Sequence, residues 1–157
     1  MIDKRFDILE EKGSNIYTNQ LDYIKEADFI ITATNAQYSI INESSLLKYG
    51  CIIIDDAQPI NVSKKVIEER KDIIVVEGGV CNHPSIYYNL NLNLIEKGDM
   101  FSCLGEVMLI AATNRVDLAI LGPTNPDMVC KVGKIATELG FKLAKLRSFG
   151  NLLDLDI

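Results

Sequence analysis

The first half of the chain alternates short β-rich runs with short helical segments, and this alternation restricts the fold more than any other feature. Three runs are apolar almost throughout: "DFIITATN" (28–35), "CIIIDDA" (51–57) and "IIVVEGG" (73–79). A segment with helical character precedes each run: "LDYIKEA" (21–27), "SSLLKYG" (44–50) and "NVSKKVIEERK" (61–71). Continuous apolar strands are typical of parallel sheets covered on both faces, with right-handed crossovers between them. The pattern therefore predicts an α/β fold.

Upstream, residues 3–12 read as the end of a helix and 15–19 as a short strand. The second half differs, because apolar residues recur at helical spacing from Leu90 to about Arg115, with a break at Gly98. A further helix is predicted over 127–140, ended by Gly140. We therefore expect a partial α/β region (1–89) and a helical region (90–157) packed on it as one structural unit.

Composition narrows the class of protein. A chain of 157 residues with 48% hydrophobic content is about one domain with a real core. The net charge of −6 argues against nucleic acid as a partner, because that affinity rests on Lys and Arg. Apolar runs stop well short of the roughly 20 residues that a membrane span needs, and no signal peptide is evident. The four cysteines lack metal-ligand spacing, so we predict a cytoplasmic protein without disulfides or metal.

Small polar residues and glycines follow each predicted strand. Because open α/β sheets bind ligands at the carboxyl ends of their strands, "TATNAQ", "DDAQP" and "EGGVCNH" are expected to share one rim. The competing interpretation is that Thr34, Asn35 and Asp55 are ordinary turn formers. Gly78 and Gly79 can equally mark a tight backbone path. The chain has no GxGxxG turn to hold a pyrophosphate.

Cys103 and Glu106 lie three residues apart and would share one face of a helix. A thiolate in the first turn of a helix is stabilised by the helix dipole, and a nearby carboxyl group can exchange protons with a reacting carbonyl. Spacing alone nevertheless favours a core cysteine. His83 is the only histidine, and lone histidines are more often structural than catalytic. Lysines at 131, 134, 142 and 145 read as a solvated face, or as a surface for an acidic carrier protein.

Five blocks along the chain occur in the same order in a known group of enzymes: "ADFIITATN", "IDDAQPIN", "EGGVCNH", "FSCLGEVML" and "LGFKLAKL". On these blocks the chain resembles the C-terminal portion of the long-chain acyl-acyl carrier protein reductases and the related predicted amino acid dehydrogenases. The resemblance extends from about residue 3 to 150. It implies a partial Rossmann-like, doubly wound parallel sheet followed by a C-terminal helical segment.

The resemblance also implies a chemistry. Cys103 corresponds to the family's acyl-accepting nucleophile, and His83 to the histidine after its Gly-Gly pair. The implied reaction is attack of Cys103 on an acyl thioester of acyl carrier protein or coenzyme A, then reduction to an aldehyde by NADPH or NADH. His83 and Glu106 become candidates for handling protons. The candidate cofactor-binding residues are Thr34, Asn35, Ala36, Gly78 and Gly79.

The sequence departs from the family at several positions. "DDAQP" replaces "DGGYP", Asn82 replaces an acidic residue, and "LGPTN" stands where "WGRN" is expected. The family's first strand and glycine-rich turn would precede Met1, so we expect a fragment, one piece of a split protein, or a relative without reductase activity. Two alternatives stay open. One is a binding or assembly module whose missing strands come from a partner or a second copy, and the other is a small-substrate dehydrogenase in which Cys103 is structural.

Overall fold

The computed structural model describes residues 21–119, 122 and 125–154. The described chain forms two compact units that divide between Val76 and Glu77. The predicted regions 1–89 and 90–157 differ from these units by the segment 77–89. The helix predicted over 3–12 and the strand predicted over 15–19 lie outside the described residues.

The first unit is built on a three-stranded parallel sheet. Its strands are β1 (Phe29–Thr32), β2 (Ile52–Asp55) and β3 (Ile74–Glu77), in the order β1-β2-β3. The pairing of β1 with β2 begins at Phe29 opposite Ile52 and ends at Thr32 opposite Asp55. The parallel sheet predicted from the three apolar runs is therefore confirmed.

The helical turn predicted over 21–27 is present as a 3-10 helix at Leu21–Glu26. The other two helical segments are shorter than predicted, because a single 3-10 turn forms at Ser44–Leu46 and helix α1 covers only Lys64–Glu69. The core consists of aliphatic side chains that are almost fully buried: Ile41, Ile53, Val62, Val66 and Val75.

Among the described residues, strand β1 lies at an edge of the sheet. Phe29 and Ile31 alternate along it and keep 51% and 64% of their surface exposed. The expectation that this run is covered on both faces is therefore wrong for β1. Apolar content alone does not distinguish a central strand from an edge strand whose outer face lacks a covering layer.

The second unit combines a small antiparallel sheet with two helices. Strand β4 (Val80–Asn82) lies between β5 (Asp99–Phe101) and β6 (Lys142–Leu143). Helix α2 (Ser102–Thr113) follows β5 directly, and helix α3 (Pro126–Glu138) precedes β6. A hairpin of β7 (Arg147–Ser148) and β8 (Asn151–Leu152) follows.

The prediction of a helical C-terminal region (90–157) is wrong for β5 to β8 and for residues 90–98, which are irregular. Gly98 accounts for the irregular end of this segment. Its φ is +85°, and a Cβ built there would lie 2.3 Å from the His83 carbonyl oxygen. The His83 N–H donates to the Gly98 carbonyl, so backbone bonds that a helix would make locally are made across the sheet.

Helix α3 begins and ends within two residues of the predicted bounds. The Asn125 side chain accepts a hydrogen bond from the Asp127 N–H, and Pro126 occupies the first turn. Gly140, with φ of +95°, follows the helix end. No helix in the described part of the chain is both long and apolar enough to cross a membrane.

Candidate functional site

In the first unit, a buried carboxylate joins the ends of two strands. Asp55, at the end of β2, is 2% exposed. Its Oδ1 accepts from the Thr32 hydroxyl (2.7 Å) and the Ala57 N–H (3.2 Å). Its Oδ2 accepts from the N–H groups of Asn61 (2.7 Å) and Val62 (2.9 Å). The carboxylate therefore holds the loop after β2 against the last residue of β1.

Asn61 continues this network to the loop after β1. Its fully buried side chain accepts a hydrogen bond from the Thr34 hydroxyl and donates to the carbonyls of Ala36 (3.3 Å) and Tyr38 (3.4 Å). Thr34 and Asn35 are exposed and Ala36 is half-buried. The predicted meeting of "TATNAQ" and "DDAQP" is therefore present, with Asn61 as the joining residue that sequence reasoning missed. The cofactor-binding role of these residues stays a prediction.

In the second unit, the junction of β5 and α2 presents Cys103. The Ser102 N–H donates to the Gly79 carbonyl at 2.7 Å, which attaches the start of α2 to the residue before β4. Cys103 is the second residue of α2 and is exposed, and Glu106 follows about one turn later and is half-buried. A helix N-terminus favours negative charge that develops in its first turn. The competing prediction of a buried core cysteine is not what the structure shows for Cys103.

The other cysteines occupy different surroundings. Cys51 is buried, and this burial raises the pKa of its thiol. Burial also raises the pKa of the Cys81 thiol, although a hydrogen bond with Ser102 partly offsets the effect. Cys130, on α3, is exposed like Cys103. Cys130 therefore offers a matched comparison for the reactivity of Cys103.

His83 is placed at the end of α3. Its Nδ1 accepts from the Ser85 N–H (3.2 Å), so its Nε2 carries the proton and donates to the Leu139 carbonyl (2.9 Å). Its ring also makes an edge contact with Phe141, with centroids 4.9 Å apart. Gly79, which accepts the hydrogen bond from the start of α2, lies at one end of β4 and His83 at the other, about 13 Å apart along an extended backbone. The proton-handling role of His83 stays a prediction.

The predicted glycine pair lies between β3 and β4. Gly79 has φ of +66°, a conformation that favours glycine, and its carbonyl accepts the Ser102 N–H as described above. Gly78 is half-buried. This is the tight backbone path that the sequence left open as an alternative, and it positions the start of α2.

The described residues offer groups that suit the ribose or the carboxamide of a nicotinamide cofactor, but no site that suits its diphosphate. Hydroxyl and amide groups such as those of Thr34 and Asn35 suit a ribose or a carboxamide. A diphosphate needs paired glycines between a strand and a helix N-terminus. The connection after β2 contains no glycine, the connection after β1 contains only Gly50 just before β2, and Gly78-Gly79 leads into a strand. Within the described ranges, no three His, Cys, Asp or Glu side chains are placed to hold a metal ion.

The comparisons with known proteins give partial similarities. No protein-family model matches the chain. It is 30% identical to the aminotransferase PigE of Serratia sp. over 112 residues, which are 69% of this chain and 13% of that protein. It is 28% identical to the long-chain acyl-[acyl-carrier-protein] reductase of Synechococcus elongatus over 94 residues, which are 55% of this chain and 26% of the reductase. The chain thus spans a small part of either relative. The similarity supports a distant, oxidoreductase-like relationship and nothing more specific.

Gly105 allows α2 to lie close to β4. A Cβ built on Gly105 would lie 2.8 Å from the Cys81 sulfur and 3.5 Å from Phe141. We expect Gly105→Ala to lower the free energy of unfolding by about 1–3 kcal/mol, because the added methyl overpacks this contact. Chemical denaturation of the full chain measures the change.

Two further variants test the cause. The double variant Cys81→Ala/Gly105→Ala removes the opposing sulfur and should recover most of the loss. Gly133→Ala in α3 is the matched control, because no atom lies within 4 Å of its built Cβ. That control should gain up to about 1 kcal/mol from helix propensity. Equal losses in Gly105→Ala and the double variant would contradict the packing explanation.

Proposed function

We propose that this chain carries the acyl-accepting part of an oxidoreductase site, in which Cys103 takes the acyl group of a fatty acyl thioester. The observation that supports this most directly is the exposure of Cys103 in the first turn of α2. The partial similarity to a long-chain acyl-[acyl-carrier-protein] reductase agrees with it.

The proposed step is a thioester exchange. The Cys103 sulfur attacks the thioester carbonyl, a new carbon–sulfur bond forms, and the bond to the carrier thiol breaks. Glu106 is the candidate group that takes the proton of the Cys103 thiol and returns it to the departing carrier thiolate, so the exchange neither gains nor loses a proton. The positive end of α2 favours the charge that develops during this exchange.

The surface of α2 suits an apolar chain next to the thiol. Val107 and Ala111 follow Cys103 at intervals of four residues, so the three lie along one face of the helix. Ala111 is exposed, and Val107 keeps 61% of its surface exposed. An acyl chain attached to Cys103 would cover this stripe and remove it from water.

The reductive half of the reaction depends on a cofactor. NADPH or NADH, when bound, supplies the hydride that converts an acyl thioester to an aldehyde. The described residues do not provide a cradle for its diphosphate, so the test below concerns acyl transfer alone. An acidic acyl carrier protein or acyl-coenzyme A is the proposed donor, and the exposed Lys134 and Lys142 are charged groups suited to either.

The exposed edge of the first unit favours a second candidate function. Strand β1 has a neighbouring strand on only one side among the described residues, as expected if further strands are supplied by a partner or a second copy, and its Phe29 and Ile31 are largely exposed. This candidate is a non-catalytic assembly module, and it predicts no acyl adduct on any cysteine. A small-substrate dehydrogenase, the third possibility, predicts the same absence of an adduct.

The deciding experiment is intact-protein mass after incubation with a long-chain acyl-coenzyme A. We expect a mass gain equal to one acyl group in the wild type, released by hydroxylamine as a thioester would be. Cys103→Ser should abolish the gain completely. Cys130→Ser, the matched control at the other exposed cysteine, should keep it.

The other outcomes count against the proposal. A gain that survives in Cys103→Ser, or that disappears equally in Cys130→Ser, would show non-selective acylation. No adduct in the wild type would remove the acyl-transfer proposal and favour the assembly module.

A further inference from the structure

Helix α3 carries an apolar seam. Met128, Val132, Ile135 and Leu139, the residue just after the helix, follow one another at intervals of four, three and four residues. This spacing is typical of a helix face that packs against a second helix. No residue of α3 is fully buried among the described residues: Met128, Val132 and Ile135 are half-buried, and Leu139 keeps 39% of its surface exposed. A helix of 13 residues is marginal in water alone, so this face needs a neighbour.

The charges beside the seam indicate what the neighbour is. Lys131 and Glu138 lie seven residues apart, or about two turns, and therefore on the same flank of the seam. In an antiparallel pair of identical helices, Val132 lies opposite Ile135 of the second copy. Lys131 then faces Glu138 of that copy, and the two-fold axis repeats the pair. The opposite flank carries the uncharged Val129 and Ala136.

We propose that α3 is a self-association surface, which pairs antiparallel with α3 of a second copy of this chain. A surface that binds an acidic partner would carry lysines alone. The flank with Lys131 and Glu138 carries one charge of each sign and is therefore complementary to itself. The helix is only about 20 Å long, so the pair buries less than the roughly 800 Å² per partner of a standard interface. The dimer is therefore expected to dissociate on dilution.

Sedimentation equilibrium of the full chain over a range of concentrations tests this proposal. We expect a reversible monomer–dimer equilibrium. Ile135→Glu should weaken it at least tenfold by placing a charge in the seam. Thr137→Glu adds the same charge at an exposed position outside the seam and should leave the equilibrium unchanged. Far-UV circular dichroism of each variant confirms that α3 is retained.

A charge exchange tests the orientation. Lys131→Glu and Glu138→Lys should each weaken the dimer, since each places like charges opposite one another. The double variant Lys131→Glu/Glu138→Lys should restore it. Lys131 also forms an exposed ion pair with Asp117 at 3.6 Å, so Glu138→Lys is the cleaner single variant.

Three results would overturn the proposal. The first is a monomer at every concentration. The second is a dimer that Ile135→Glu leaves intact, which would place the interface elsewhere, for example at β1. The third is a double charge exchange that fails to restore what the single variants lose.

Discussion

Asp55→Asn is expected to lower the free energy of unfolding by about 3 kcal/mol, although it changes the side chain by a single group. The carboxylate accepts four hydrogen bonds, one from Thr32 and three from the N–H groups of Ala57, Asn61 and Val62. An amide has one oxygen and one NH₂ group, and in either orientation the NH₂ faces at least one backbone N–H. A buried donor then stays unsatisfied. Urea unfolding of the full chain measures the loss.

The neighbouring acidic residue provides the control. Asp56 is exposed, and Asp56→Asn should change stability by no more than about 0.5 kcal/mol. Asp55→Asn should also weaken the attachment of the loop after β1, which depends on Asn61. Faster hydrogen exchange of the backbone in residues 33–38 would report this. If both variants changed the free energy of unfolding by the same small amount, the Asp55 carboxylate would not hold the loops after β1 and β2 together.

The sequence predicts the parts of the fold that depend on local pattern. The three strands of the first unit follow from continuous apolar runs, and α3 follows from Pro126 and Gly140 at its ends. Strands β4 to β8 have two or three residues each, which is too few for a period to be seen. The edge position of β1 also escapes such reasoning, because its residues resemble those of a central strand.

The candidate site is predictable only where it depends on single residues. Cys103 and Glu106 were identifiable from their spacing and from the family resemblance, and the structure places both near the start of one helix. Asn61, by contrast, bonds Thr34 across 27 residues of sequence, and nothing local distinguishes it from a turn-forming asparagine. Asp99 and Arg147 are 48 residues apart, and no local sequence pattern indicates that they pair.

Arg147→Met is expected to lower the free energy of unfolding by about 3–5 kcal/mol, because it leaves a buried charge without its partner. Arg147 and Asp99 are each 1% exposed and form an ion pair of 2.6 Å. The Asn82 side chain and the Glu96 N–H also donate to Asp99. Chemical denaturation at pH 7 measures the loss. Lys145→Met is the control, since it removes an exposed pair with Glu96 and should cost less than about 1 kcal/mol.

The pH dependence of the free energy of unfolding distinguishes an unpaired charge on Asp99 from a simple loss of packing in Arg147→Met. Burial alone would raise the pKa of Asp99, but hydrogen bonds from Asn82 and Arg147 outweigh it and hold the pKa below the ordinary value of 3.8. A carboxyl group with a lowered pKa stabilises the fold above its unfolded pKa, and this stability is lost as the pH falls through the folded pKa. Without Arg147, burial has less opposition and the pKa of Asp99 rises. The difference in stability between wild type and Arg147→Met should therefore shrink as the pH falls from 7 to about 3. A difference that stays constant over this range would mean that Arg147 contributes through packing rather than through its charge.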